Sequence, residues 1–246
     1  MKIAIAGKGG AGKTTVSGTI ARALGQSGRR VLALDADVNP MLGISLGVGP
    51  DETERLAGIR QALDGGKIEH AKSAQEVVDR FGADAPDGVR LIVASRVDGL
   101  DSGCACCGVT PDALLDALDA SDRAVICDLE AGVGTLTKMK PGAADVVLVV
   151  TNPTTKAIEV ARRAAESADA KGARVVVIAN RVQDERDREM IRTALDGYDL
   201  VEVPEDPVIA AADRDGVAPV DLGGDGPGLR AIRELGGKLP GFATAA

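Results

Sequence analysis

Six short apolar runs, at residues 3–6, 31–34, 91–94, 124–127, 146–150 and 175–179, recur along the chain with helix-like segments between them. Several are nearly continuous Val, Ile, Leu and Ala, the pattern of strands buried on both faces. The intervening segments repeat at helical spacing. Val16, Ile20, Ala23 and Leu24 make one stripe. Ile158, Ala161, Ala165 and Ala168 make another, with Glu159 and Arg163 at pairing distance. This alternation predicts an α/β fold, a mostly parallel β-sheet flanked by helices on both faces. Residues 50–88 are more polar, with weak helices at 54–63 and 74–81, and read as an insertion covering one sheet edge. The tail, 236–246, is rich in glycine and small residues and is expected to fray. No internal boundary stands out, so a single domain over 1–246 is expected.

Gly7-Lys8-Gly9-Gly10-Ala11-Gly12-Lys13-Thr14-Thr15 follows the first strand directly and opens the first helix. It satisfies GxxxxGK[ST] in the strand-to-helix context that a phosphate-binding P-loop requires. The glycines let backbone N–H groups converge on an anion, and the helix N-terminus adds partial positive charge. Lys13 is expected to bridge the β- and γ-phosphates, the Thr14 hydroxyl to bind Mg²⁺, and Thr15 to support the α-phosphate.

Lys8 lies outside the plain P-loop pattern. With it the loop resembles KGGxGKT, the deviant Walker A family of P-loop ATPases. That family includes division and partition ATPases, the nitrogenase iron protein and metal-insertion ATPases. The resemblance spans nearly the whole chain, because further motifs follow in the family's order. It implies a homodimer in which Lys8 reaches the partner's nucleotide.

Leu34-Asp35-Ala36-Asp37 ends the second run, where ligands gather at strand carboxyl ends. Carboxylates at i and i+2 share a face. By resemblance this is the first switch: Asp37 orients the attacking water and Asp35 supports the Mg²⁺ shell. The apolar run 124–127 ends in Asp128, a Walker B pattern in which Asp128 holds Mg²⁺ through water. Asp128-Leu129-Glu130-Ala131-Gly132 resembles the second switch, with the Gly132 N–H offered to the γ-phosphate and Glu130 paired with a lysine such as Lys138.

For the base, the run 175–179 leads into Asn180-Arg181-Val182-Gln183. Gln183 stands where a guanine reader would carry aspartate, while Asn180 can pair with the adenine amino group and N7. Pro204-Glu205-Asp206 resembles the family's adenine loop. ATP is therefore the expected nucleotide, held by Gly9, Gly10, Ala11, Gly12, Lys13, Thr14, Thr15, Asn180, Arg181, Pro204 and Asp206.

Three of the four cysteines, Cys104, Cys106 and Cys107, sit within four positions, just before a helix begun by Pro111 and Asp112. Such clustering reads as metal or redox chemistry. Cys104 and Cys106 form a C-x-C pair, half of a tetrahedral site, which a symmetric dimer would complete with four sulfurs. Cys127 reads as a packing residue and His70 as a surface residue. Together with DxEAG at Asp128–Gly132, the C-x-C pair resembles the accessory ATPases that insert nickel into carbon monoxide dehydrogenase (the CooC type). That resemblance implies Ni²⁺ at Cys104 and Cys106 and a metalloenzyme client such as that dehydrogenase. Zn²⁺ and an iron–sulfur cluster are alternative occupants. Cys107 is extra to the minimal pattern.

The net charge of −8 disfavours broad contact with nucleic acid or anionic membranes. One Tyr, two Phe and no Trp leave no stacking platform for single strands. No apolar run reaches the roughly 18 residues of a membrane helix, and no signal peptide is apparent, so a cytoplasmic protein is expected. The leading reading is a slow, dimerisation-coupled metal-insertion ATPase. A positioning or partition ATPase and an iron–sulfur reductase component are the alternatives.

Overall fold

A computed structural model describes residues 1–64, 69–94 and 110–243. The chain alternates strands and helices: β1 (Lys2–Gly7), α1 (Lys13–Gln26), β2 (Val31–Ala36), α2 (Leu42–Leu46), α3 (Pro50–Asp64), α4 (Ala74–Phe81), β3 (Ala83–Ala85), β4 (Val89–Val93), α5 (Pro111–Ala117), β5 (Ala124–Leu129), α6 (Gly134–Lys138), β6 (Val146–Thr151), α7 (Thr155–Asp169), β7 (Arg174–Val182), α8 (Glu185–Ala194), β8 (Asp199–Pro204), α9 (Pro207–Asp215) and α10 (Pro227–Ala243). The strands form one sheet in the order β3-β4-β2-β5-β1-β6-β7-β8. Only the edge pair β3–β4 is antiparallel.

All six apolar runs are strands of the parallel sheet. Alternate residues feed two cores. Ile3 and Ile5 of β1 pack with Val16, Ile20 and Leu24 of α1 and with Ile232, Leu235 and Leu239 of α10. Ala4 and Ala6 face the other side, with Leu114 and Leu115 of α5, Leu136 of α6 and the alanine stripe of α7. Each fully buried leucine or isoleucine contributes roughly 1.5–3 kcal/mol relative to exposure. The alanines of α7 let that helix lie close to the sheet.

Residues 50–88 hold α3, α4 and β3, and β3 covers the β4 edge. Alternation alone missed β3, because only Ala83 and Ala85 of its three residues are buried. α4 begins with a side-chain cap: Ser73 Oγ accepts from Glu76 N, and Glu76 Oε2 accepts from Lys72 N, one residue before the cap. The tail expected to fray from Gly236 is instead helical to Ala243, since Leu235 and Leu239 are buried and Gly236 lies close to Ala23 and Ile20 of α1.

One buried cation ties separate elements together. Arg22 of α1 is 4% exposed. It donates to Leu46 O at the end of α2 at 2.8 Å and to Asp221 at 2.9 Å, and pairs with Asp87 before β4.

Candidate functional site

The carboxyl ends of β1, β2, β5, β7 and β8 carry all the nucleotide motifs, as ligand sites of parallel sheets require. β1 ends in Gly7 at φ 146, and a Cβ there would stand 2.2 Å from Val150 O, so no larger residue fits. Gly10 and Gly12 also have positive φ, 76 and 99. Gly12 caps α1 with no side-chain acceptor, which leaves the first-turn N–H groups facing outward for an anion. Lys13 is 7% exposed, Thr14 and Thr15 are half-buried, and Gly9 is exposed. Lys8 is half-buried in the loop and its carbonyl accepts from Ala11 N at 3.2 Å. Its ammonium makes no ion pair among the described residues.

Asp35 of β2 and Asp128 of β5 face each other in register. Asp35 accepts from Leu42 N at 2.8 Å and from Asp37 N at 3.2 Å. Asp128 accepts from Ser17 Oγ at 3.1 Å, with the Thr14 hydroxyl and Lys13 nearby. Burial is the main cause that pushes both carboxyls above the usual carboxylate range, and Asp35 is raised further by the charge of Asp128. An acidic pair under this strain, beside Lys13 and the Thr14 hydroxyl, fits a divalent cation such as Mg²⁺. Asp37 is half-buried at the mouth, and its carboxylate accepts from Asn39 N at 2.9 Å.

Two residues of the second switch have other surroundings than the motif alone suggests. The Gly132 N–H donates to Gly7 O at 3.0 Å, closing a bridge to the start of the glycine loop, so it serves a phosphate only if that bond breaks. Glu130 makes no ion pair with Lys138, because α6 intervenes and carries Lys138 at its far end.

The base-reading residues also sort differently than the sequence suggested. Asn180 is 9% exposed, and its Nδ2 donates to Ala11 O at 2.7 Å. That leaves Oδ1 as its acceptor for an exocyclic amine and removes part of the donor expected for N7. Arg181 has φ 60 at a bulge between β7 and β8. The bulge turns its side chain toward the loop, where it donates to Gly10 O at 3.4 Å. Gln183 donates to Glu205 at 2.6 Å. Asp206 is buried, and both its oxygens are taken by backbone, Val208 N at 2.8 Å and Leu229 N at 2.9 Å. It caps α9 and anchors α10, and it also lines the base-side cavity. Pro204 remains on the wall of a cavity of ≈ 210 Å³ with Asn180 and Arg181. A second cavity, ≈ 360 Å³, runs over Gly10, Gly12, Lys13, Thr14 and Thr15 toward Met41 and Val217.

Sequence reasoning missed Ser17, Ile209 and Asp213. Ser17 lies one helical turn after Lys13, and that spacing is a usable signal. Ile209 and Asp213 reach the site only through the packing of α9.

Cys104, Cys106 and Cys107 lie outside the described residues. Cys127 is fully buried, and burial, then the charge of Asp128, pushes its thiol well up, which suits packing and not ligation. His70 is exposed. The described residues hold no cluster of three metal-ligating side chains. No described helix is long and apolar enough to cross a membrane.

Comparison with known proteins agrees with this geometry. The chain is 29% identical to the carbon monoxide dehydrogenase accessory protein CooC of Rhodospirillum rubrum, over 90% of each chain. It is 32% identical to an uncharacterised ATP-binding protein of Methanocaldococcus jannaschii, over 98% of this chain and 89% of that one. Among solved structures, the septum site-determining protein MinD of Pyrococcus horikoshii, complexed with Mg-ADP, superposes with a TM-score of 0.70 at 22% identity, covering 100% and 99% of the two chains. Residues 2–220 match the CobQ/CobB/MinD/ParA nucleotide binding domain, and the chain belongs to that family of P-loop proteins.

Proposed function

We propose that this chain is a slow ATPase whose nucleotide-driven dimer binds and releases a thiolate-held metal ion, nickel, for delivery to a metalloenzyme such as carbon monoxide dehydrogenase. The observation that carries the reading is the placement of α5. The C-x-C segment leads directly into α5, and Leu114 and Leu115 of α5 share a core with Leu136 of α6 and with Met139, which follow the second switch. A change at the γ-phosphate thus has a packed route to α5, the helix that follows the cysteines in the sequence. The similarity to CooC over 90% of each chain supports the same reading.

In this reading the α1 N-terminus and Lys13 hold the phosphates. Thr14, Asp128 and Asp35 are the residues placed to hold Mg²⁺, which neutralises phosphate charge when bound. Asp37 orients the attacking water. Lys8 acts across the dimer on the partner's nucleotide, in the manner of an arginine finger. Metal is cargo: Cys104 and Cys106 of two protomers supply four thiolates for one ion.

A positioning ATPase would offer a free amphipathic helix or a basic face. α10 argues against the former, since its apolar side is spent on α1 and on Val203 of β8.

The test is metal titration with sedimentation of the wild type and of Cys104→Ser, Cys106→Ser and Cys107→Ser. One divalent ion per dimer is expected, lost in the first two variants and retained in the third. One ion per monomer without a change in mass would overturn it. A brown protein with iron–sulfur absorbance favours the reductase reading.

A further inference from the structure

We infer that Lys171, which belongs to no nucleotide motif, is a positioning residue for the γ-phosphate: it is the fixed point about which the second switch opens. The inference rests on the ATPase reading above.

The second switch leaves β5 after Leu129 and runs into α6. Its first part is lightly held. None of residues 131–135 is buried, and the bond that ties them to the glycine loop is the Gly132 N–H donating to Gly7 O at 3.0 Å. A segment with few buried contacts opens at low cost. Burial begins at Leu136 and Met139. Apolar burial is non-directional, so it holds the short helix down without fixing how far it slides. With five residues α6 is too short to be stable by itself, and its last carbonyls have no N–H within the helix.

Lys171, between α7 and β7, supplies the missing donor. Its ammonium donates to Thr137 O at 3.1 Å and to Met139 O at 2.6 Å. A cation over these carbonyls also opposes the negative pole of the helix. The backbone adds a third tie, because Lys171 O accepts from Gly142 N at 3.2 Å. One residue thus clamps 137–142 by three hydrogen bonds. The clamp has a rigid base. Lys171 N donates to Ala168 O and Gly172 N to Asp169 O, closing the end of α7, whose Ala164, Ala165 and Ala168 are buried against the sheet. Lys140 of the same loop pairs with Asp116 of α5 at 2.7 Å, but both groups are exposed and such a pair is worth little.

The downstream end of the switch therefore stays where Lys171 holds it, and the upstream end moves. When the Gly132–Gly7 bond breaks, the place that the Gly132 N–H can reach is set backwards from Thr137 through one turn of α6. Lys171 itself lines neither nucleotide cavity, so its effect on nucleotide passes through the switch. ADP has no γ-phosphate for that N–H to meet. The clamp accordingly acts on ATP and spares ADP.

The experiment measures affinity for Mg-ATP and Mg-ADP, and turnover at saturating ATP, in wild type, Lys171→Met and Lys171→Arg, with melting curves as a folding control. Methionine keeps the apolar stem and removes the donors; arginine restores them. Lys171→Met should bind ATP about 10-fold less tightly and turn over about 10-fold more slowly, the worth of a charge-assisted hydrogen bond, with ADP affinity within about 2-fold of wild type. Lys171→Arg should recover most of both losses. If Lys171→Met does not fold, Lys171→Gln, with a neutral donor on a shorter stem, reads the same ATP-to-ADP ratio with a smaller change. An unchanged ratio and rate in the folded variant overturns the inference. Equal loss of both nucleotides also overturns it, since Lys171 would then only hold the fold, as does an arginine variant no better than methionine. Failure of the wild type to bind or hydrolyse ATP instead overturns the reading on which the inference rests.

Discussion

Asp35 and Asp128 are register partners on adjacent parallel strands, and both carboxyls are buried. The charge of Asp128 raises Asp35 and the charge of Asp37 raises Asp128, and among the described residues the buried cation near them is Lys13. The fold therefore presents a site that is electrostatically strained until a cation enters.

That strain has a pH signature. Both carboxyls have folded-state pKa values above their unfolded values, so protonation favours the fold. The resulting stability is complete below the ordinary carboxylate range and is lost as pH rises through the raised values. Melting temperature of the nucleotide-free, metal-free chain is expected to fall from about pH 4 to about pH 8, more steeply below about pH 6, where both carboxyls contribute, than above it, where only Asp35 does. Asp35→Asn should flatten that slope while lowering stability overall, because an amide nitrogen cannot accept the second backbone N–H. Mg²⁺ with nucleotide should flatten it in the wild type. The same pH slope in wild type and Asp35→Asn would refute the assignment.

The glycine loop makes a graded prediction. A Cβ at Gly7 meets a backbone carbonyl at 2.2 Å, one at Gly12 meets Asn180 Nδ2 at 2.3 Å, and one at Gly10 meets nothing within 4 Å. Backbone cannot yield cheaply, whereas a side chain can turn. Gly7→Ala is thus expected to cost more than ~4 kcal/mol. Gly10→Ala should cost ~1 kcal/mol, the left-handed penalty alone. Gly12→Ala falls between, and it alone should also displace Asn180 and weaken base recognition. Denaturant unfolding of the three variants gives the order; Gly10→Ala as the worst of them would contradict it.

Much of this was legible in sequence because it is local. Parallel strands buried on both faces announce themselves as apolar runs, and the P-loop needs only nine consecutive residues. What escaped was set by distant packing. Asp206 was read as a base contact because its neighbours look like an adenine loop, yet Leu229 N, 23 residues away, takes one of its oxygens. Gly132 was read as a phosphate donor, yet its N–H meets Gly7 O. Gly236 and Gly237 suggested fraying, but burial of Leu235 and Leu239 outweighs the roughly 1 kcal/mol helix penalty of each glycine.

Lys8 and Lys13 are expected to separate affinity from turnover. Lys13 is buried beside Asp128, at the start of α1, and serves its own phosphates. Lys8 is half-buried with its ammonium unpaired among the described residues. Lys13→Ala should abolish tight ATP binding. Lys8→Ala should bind ATP nearly as well as wild type yet lose hydrolysis and nucleotide-driven dimerisation, with a rate loss on the order of 10³-fold for a trans-acting cation. Titration calorimetry and single-turnover kinetics read both quantities. Equal loss of affinity in the two variants would remove the division of labour.

Arg22 is expected to be the most costly single charge to remove. Its guanidinium is 4% exposed and serves three partners on separate segments: Leu46 O, Asp87 and Asp221. Truncation leaves a buried carbonyl unsatisfied and two carboxylates unopposed. Breaking such a buried arrangement from one side costs roughly 3–5 kcal/mol. Lysine at this position keeps the charge but cannot fork to three acceptors, so Arg22→Lys should recover only part of the loss. A functional consequence follows from the route through α2. Leu46 O ends the helix whose first amide, Leu42 N, is held by Asp35. Loosening one end of a five-residue helix loosens the other. Arg22→Lys is therefore expected to weaken Mg²⁺-dependent nucleotide affinity more than Mg²⁺-free affinity, although Arg22 touches neither ligand. Denaturation with nucleotide titration in Mg²⁺ and in chelator measures both effects. A stability loss with an unchanged Mg²⁺ dependence would confine Arg22 to holding the fold.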